Sequence, residues 1–152
     1  MNRRELFLVG AGTAVTQGFW TTVAGCGAQS TPVVTGGTQP PAAAHDELVR
    51  LAAECLAACE ACHAHCLTQL ATGDTMMAAC SRTTHECAAL CRAMVTLASA
   101  DAEHLAALAA VCAQSCASCH TACSAHAAHH AVCARCADAC QRCGQACAAL
   151  AA

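Results

Sequence analysis

From residue 45 onward, apolar side chains recur with a period close to 3.6 residues, alanine is abundant, and proline is absent to the end of the chain. This pattern predicts α-helices separated by short breaks at residues 72–74, 99–101 and 127–130. The predicted helices are residues 45–72, 75–99, 102–127 and 130–151. Because short connections make successive helices antiparallel, the sequence predicts an all-α, up-down-up-down four-helix bundle. Asp74 and Asp101 are predicted N-caps, and Gly73 is predicted to end the first helix.

The apolar face of each predicted helix is built mainly of cysteine. The spacing C-x3-C-x2-C-x3-C occurs three times, and the second helix carries a degenerate copy with Thr84 in place of one thiol. At about 100° per residue, these offsets form one narrow stripe on each helix. Since reduced cysteine is readily buried, the four stripes are expected to face one another and line the core. The bundle cysteines are Cys55, Cys59, Cys62, Cys66, Cys80, Cys87, Cys91, Cys112, Cys116, Cys119, Cys123, Cys133, Cys136, Cys140, Cys143 and Cys147.

The two ends of the predicted bundle differ in the residues that continue the stripes. At the end that holds residue 45 and the C-terminus, they continue mainly as leucine. At the opposite end, they continue as Met76, Met77, His126 and His129. Thioether and imidazole groups bind soft and borderline metal ions, so this end is the predicted mouth for metal uptake. Four other histidines lie off the stripes and are predicted to be surface residues: His63, His65, His85 and His120.

The first 44 residues are expected to lie outside the bundle. Residues 1–26 begin with Arg3 and Arg4 before an apolar run, and they resemble a twin-arginine export signal. The letters VAGC that end at Cys26 resemble a bacterial lipobox, in which the cysteine becomes acylated. Residues 27–44 are rich in Gly, Thr, Pro and Ala, which is typical of a flexible linker. We therefore expect a protein exported to the periplasm, either released there or tethered to the membrane through Cys26.

The composition excludes a nucleic-acid partner and indicates which side chains must fill the core. The formal net charge is −3 and lysine is absent, so there is no basic patch for a nucleic-acid partner. The aromatic residues Phe7, Phe19 and Trp20 all precede the bundle. Thiols must therefore fill much of the core space that large apolar side chains fill elsewhere.

Four explanations of the cysteine stripes can be weighed against one another. The first explanation is structural. Cysteine as a small apolar filler would offer nothing beyond alanine, and disulfides are disfavoured because cysteines that form a stripe along one helix are poorly placed to bridge. An iron–sulfur cluster needs four thiolates around one point, usually on a loop. Zinc or cadmium would use stacked sites of four thiolates, from which Thr84 removes one ligand. Copper(I) accepts two or three thiolate or thioether ligands, which tolerates irregular ligand numbers and suits methionine at the mouth. A cysteine-only interior predicts no catalytic activity.

The tandem cysteine spacing on four helices, behind a twin-arginine signal, resembles the bacterial copper storage proteins. The resemblance covers residues 45–152 as the bundle and residues 1–26 as the signal of the exported branch. It implies an interior whose sixteen bundle thiols bind many Cu(I) ions, for supply to a copper enzyme or chaperone or for detoxification. It also implies an entrance lined by Met and His, whose character Met76, Met77, His126 and His129 match, and a homotetramer. The lipobox is a departure from the family pattern.

Overall fold

The computed structural model describes residues 45–152, so the predicted signal, Cys26 and the predicted linker lie outside the described residues. Its helices are α1 (Asp46–Ala71), α2 (Ala78–Ser99), α3 (Leu105–Ser124) and α4 (Ala131–Ala151), with a short 3-10 helix (Thr75–Met77) before α2. The predicted helices are therefore confirmed, with ends that differ by no more than three residues.

The four helices enclose one core. The helix α1 packs against α2 and α4, and α3 packs against the same two neighbours, so α1 and α3 stand at opposite corners. Short turns connect successive helices, which makes neighbours antiparallel. The predicted all-α, up-down-up-down four-helix bundle is confirmed.

The turns between helices confirm two of the three predicted caps. Gly73 has a φ of 96°, a left-handed conformation that ends α1 and favours glycine. The Asp74 carboxylate accepts a hydrogen bond of 3.1 Å from the backbone N–H of Met76. The prediction for Asp101 is wrong, because α3 begins only at Leu105. Asp101 instead adopts a φ of 48° within the turn, a conformation that aspartate tolerates.

The buried core consists mainly of the four cysteine stripes. All sixteen cysteines of residues 45–152 have no exposed surface. Leu48, Met94 and Leu105 are buried at the end that holds the C-terminus, as predicted. The largest fully buried side chains of the described residues are Met77, Met94 and Thr84, followed by cysteines. Because a thiol buries less apolar area than leucine or phenylalanine, this core supplies less hydrophobic stabilisation than an ordinary one of the same length.

Exposed ion pairs connect neighbouring helices on the surface. Arg142 on α4 donates to the Glu54 carboxylate on α1 at 2.9 Å, and Arg92 on α2 pairs with Glu60 on α1. Exposed pairs of this kind contribute little to stability, because water and salt screen them.

The helix α3 is apolar along much of its length. Among the described residues, it is long and apolar enough to cross a membrane by length and composition alone. In this bundle its thiol stripe is buried against the other helices, and a buried core helix satisfies the same criterion.

Candidate metal centre

The sulfur atoms of the four stripes meet in the centre of the bundle. The Sγ atoms of Cys80 and Cys123 lie 3.4 Å apart, and those of Cys55 and Cys140 lie 3.6 Å apart. A disulfide needs about 2.05 Å between its sulfurs. All sixteen cysteines of the described residues are free thiols, so disulfides do not hold this bundle together.

Thiols also contact each other across both diagonals of the bundle, between helices that stand at opposite corners. Cys59 on α1 contacts Cys119 on α3, with 4.0 Å between the sulfurs. Cys87 on α2 contacts Cys140 on α4, also at 4.0 Å. Because sulfurs from opposite corners touch, no layer of other side chains separates the stripes at this level.

Several sets of thiols are close enough to hold a metal ion between them. In each set, all sulfurs lie within 4.8 Å of one another and are buried. The four-thiol groups include Cys91/Cys112/Cys116/Cys143, Cys55/Cys87/Cys91/Cys116, Cys55/Cys59/Cys87/Cys140 and Cys59/Cys119/Cys136/Cys140. A three-thiol group, Cys62/Cys66/Cys80, lies nearer the predicted mouth. Consecutive four-thiol groups share two sulfurs each, so those four form a continuous series along the core, whereas the three-thiol group shares no sulfur with them.

Thr84 interrupts the stripe of α2. Its side chain is fully buried, and its hydroxyl donates to the backbone carbonyls of Cys80 at 2.8 Å and Ser81 at 3.0 Å. This is the common way in which a helical threonine satisfies its hydroxyl. The degenerate copy in the sequence is thus a gap in the ladder between Cys80 and Cys87.

Of the four predicted mouth residues, the structure brings Met77 into the core. Met77 is 1% exposed, whereas Met76 is 74% exposed. Met76 does not continue the stripe, because residues 75–77 form a 3-10 turn, in which the helical angle of about 100° per residue does not hold. His126 is half-buried and His129 is exposed, and both lie in the turn between α3 and α4.

Two histidines at the mouth, His65 and His130, interact in a way that the sequence did not indicate. The ring nitrogens of His65 and His130, Nε2 and Nδ1, lie 3.0 Å apart and join α1 to the start of α4. The ring of His126 lies 6.4 Å from that of His130. His130 follows a turn, and helical periodicity does not determine the path of a turn. The sequence therefore did not predict this histidine cluster.

Two further histidines connect helices through the backbone. His63 Nδ1 lies 3.0 Å from the Ser81 carbonyl oxygen, and His120 Nδ1 lies 2.9 Å from that of Ala137. The prediction of plain surface residues is therefore wrong for both, and for His65, because all three are half-buried between helices. It is right for His85, which is exposed. The signal was present, since His63 and His120 each directly follow the third cysteine of a ladder.

Burial raises the pKa of two thiols near the mouth, Cys66 and Cys133. Burial is the main cause that raises the pKa of Cys66, and the neighbouring thiol of Cys80 adds to it. Burial likewise raises the pKa of Cys133, with a further contribution from Cys62. These thiols are protonated at neutral pH in the metal-free protein, so binding a metal ion through them must release protons.

Comparison with known protein families places this thiol core in one of them. A family model described as copper storage protein (Csp) matches residues 42–152. The chain belongs to the copper storage protein family. No curated protein matches it in a sequence comparison.

Solved structures of copper storage proteins share the fold. Cu(I)-bound BsCsp3 is 30% identical over 71% of this chain and 98% of its own, with a TM-score of 0.66. Apo-Csp3 from Bacillus subtilis is 30% identical over 71% of this chain and 99% of its own, with a TM-score of 0.62. Ccsp from Streptomyces lividans, loaded with 10 copper equivalents, is 32% identical over 80% of this chain and 92% of its own, with a TM-score of 0.63.

Family membership and the thiol groups together confirm copper storage as the function. The zinc or cadmium alternative has no support from these comparisons. The thiols of this copper storage bundle lie in the core and not at the surface.

Proposed function

We propose that this copper storage protein holds many Cu(I) ions as thiolate complexes spread along the whole core, with the sixteen bundle cysteines as ligands. The observation that carries the proposal is the sharing of sulfurs between neighbouring four-thiol groups. Cu(I) is soft and accepts two or three thiolates, so shared sulfurs can bridge successive ions.

The same sharing disfavours a series of separate tetrahedral sites. A structural zinc ion takes four ligands of its own. Of the four groups named above, no more than two can be filled at once with separate thiols, because each of the others then reuses a sulfur. Tetrahedral sites would therefore leave much of the ladder unused.

Metal uptake is proposed to occur at the end that carries Met77. Its buried thioether is the innermost of the proposed entrance ligands. Met76, His126 and His129 provide thioether and imidazole groups in the turns at the same end of the bundle. Such ligands hold Cu(I) less permanently than thiolates do, which suits transfer into the core.

The enclosed core suits storage rather than catalysis. Every thiol of residues 45–152 is buried, so water and small oxidants are kept from both sulfur and copper. We propose that the chain has no catalytic activity. A copper enzyme or chaperone that receives the stored ions is the proposed partner.

Only the sequence supports the proposed location of the protein in the cell. The paired arginines support export by the twin-arginine route, and the letters before Cys26 support a lipid tether. Assembly into a tetramer is proposed from the resemblance of the sequence to the family.

A competition between metals tests the proposed function. The reduced full chain is first equilibrated anaerobically with excess zinc(II), then titrated with Cu(I), and the bound metals are measured after desalting. Copper is expected to displace the zinc and to continue binding until about one ion per bundle thiol is held. Retention of zinc in the presence of excess Cu(I) would contradict a core that selects copper.

A further inference from the structure

The bundle is built from two similar helical hairpins, α1–α2 and α3–α4. Cysteines of α1 recur 57 positions later in α3, and those of α2 recur 56 positions later in α4. The contacts repeat as well, because His63 meets the carbonyl of Ser81 and His120 meets that of Ala137. By this relation, Thr84 occupies in the first hairpin the position that Cys140 occupies in the second.

Cys140 is a central member of the thiol series. Its sulfur lies 3.6 Å from that of Cys55, 3.7 Å from that of Cys59 and 4.0 Å from that of Cys87. Thr84 offers no sulfur at the corresponding position, and its hydroxyl is committed to its own helix. The two hairpins therefore differ at two positions that concern copper: Thr84 breaks the ladder of α2 where that of α4 is continuous, and Met77 stands in α2's hairpin where α4 has Cys133.

The break divides the thiols into two halves. The outer half, near the mouth, comprises Cys62, Cys66, Cys80, Cys119, Cys123, Cys133 and Cys136. The inner half comprises Cys55, Cys59, Cys87, Cys91, Cys112, Cys116, Cys140, Cys143 and Cys147. Among the sulfur contacts of 4.0 Å or less in residues 45–152, those that join the halves are Cys59 to Cys136 at 3.7 Å and Cys59 to Cys119 at 4.0 Å. Both belong to the four-thiol group Cys59/Cys119/Cys136/Cys140, here called the crossing group. The sulfur of Cys140 lies somewhat farther, within 4.8 Å of those of Cys119 and Cys136.

We propose that copper enters the inner half through the crossing group, because Thr84 leaves no sulfur between Cys80 and Cys87 for an alternative route along α2. This inference rests on the proposed function. A thiolate-bound Cu(I) ion moves by exchanging one sulfur ligand for another, so the next sulfur must be within reach. The entering thiol gives up its proton as it binds, the sulfur left behind takes up a proton, and copper stays Cu(I).

The route makes a kinetic prediction for the full chain. Anaerobic transfer of Cu(I) from a coloured chelator complex should show a fast phase, which fills the outer half, and a slow phase, which fills the inner half. The variant Thr84→Cys places a thiol between Cys80 and Cys87 and should accelerate the slow phase by about tenfold, or about 1.4 kcal/mol of barrier. Its matched control, Thr84→Val, has the same shape and no thiol, and should keep the slow phase of the unaltered chain.

A second pair of variants tests whether loss of a crossing-group thiol slows copper transfer. Cys59→Ser removes the inner sulfur of both contacts of 4.0 Å or less that join the halves, leaving only the more distant Cys140, and should slow the second phase by about tenfold. Cys112→Ser also removes one inner thiol, but it lies in no joining contact, so it should reduce the amplitude of the slow phase without a comparable change in its rate constant. The pair separates loss of a ligand from loss of the route.

The outcomes distinguish this inference from the function on which it rests. Uptake of four or fewer ions by the unaltered chain would contradict the proposed function itself. Uptake of many ions in one phase, or equal slowing by Cys59→Ser and Cys112→Ser, would overturn the route and leave storage intact. A slow phase unchanged in Thr84→Cys would overturn it as well.

Discussion

Loading with Cu(I) is expected to raise the midpoint of thermal unfolding of the reduced protein by about 20 °C or more. The metal-free core is packed with small side chains, since apart from Met77, Met94 and Thr84 its largest fully buried residues are cysteines. Ions that bind only the folded chain add stability that grows with their number and with the logarithm of their affinity. Copper bridges would also join opposite helices where Cys59 meets Cys119.

Anaerobic melting curves, followed by circular dichroism, measure this stabilisation. Removal of the copper with an excess of a strong Cu(I) chelator is the control, and it should return the midpoint to that of the metal-free protein. Equal midpoints for loaded and metal-free protein would show that copper is bound outside the core.

The double variant Cys116→Ser/Cys140→Ser is expected to separate copper from zinc. Each of the four four-thiol groups named above contains Cys116 or Cys140, so every one of them loses a ligand. Tight zinc binding at these groups should therefore disappear, because a structural zinc site needs all four ligands. Copper capacity should fall by only about one-eighth, since two of sixteen thiols are lost and Cu(I) needs two or three ligands.

The matched control is Cys66→Ser/Cys147→Ser, which also removes two buried thiols but leaves those four groups intact. Both double variants should hold about the same amount of copper, while only the control retains zinc binding at these groups. The bound metals are counted by elemental analysis of the reduced, desalted proteins. A far greater loss of copper in the first variant than in the control would mean that copper, too, occupies discrete four-thiol sites.

Helical periodicity was enough to predict both the bundle and its lining. The cysteine offsets leave only one orientation in which each helix buries its stripe, and all sixteen thiols are indeed buried. The difference between the two ends also follows from the sequence, as buried Leu48 and Leu105 at one end and buried Met77 at the other illustrate.

Features that depend on turns and on register between helices could not be predicted in this way. The 3-10 turn at residues 75–77 leaves Met76 exposed, and the path after α3 brings His130 to His65. Diagonal contacts such as that of Cys59 with Cys119 depend on how the helices are shifted along their axes, which periodicity does not contain. The sequence does show Thr84 as an irregularity, but the direction of its hydroxyl required the structure.

The capacity for copper tests the central claim most directly. The reduced full chain is titrated anaerobically with Cu(I) in the presence of a competing chelator of known affinity, and the ions bound per chain are counted at saturation. Storage along the whole core predicts well over ten ions per chain, near one for each of the sixteen bundle cysteines. Saturation at about four ions or fewer would contradict it, because that number corresponds to separate four-thiolate sites.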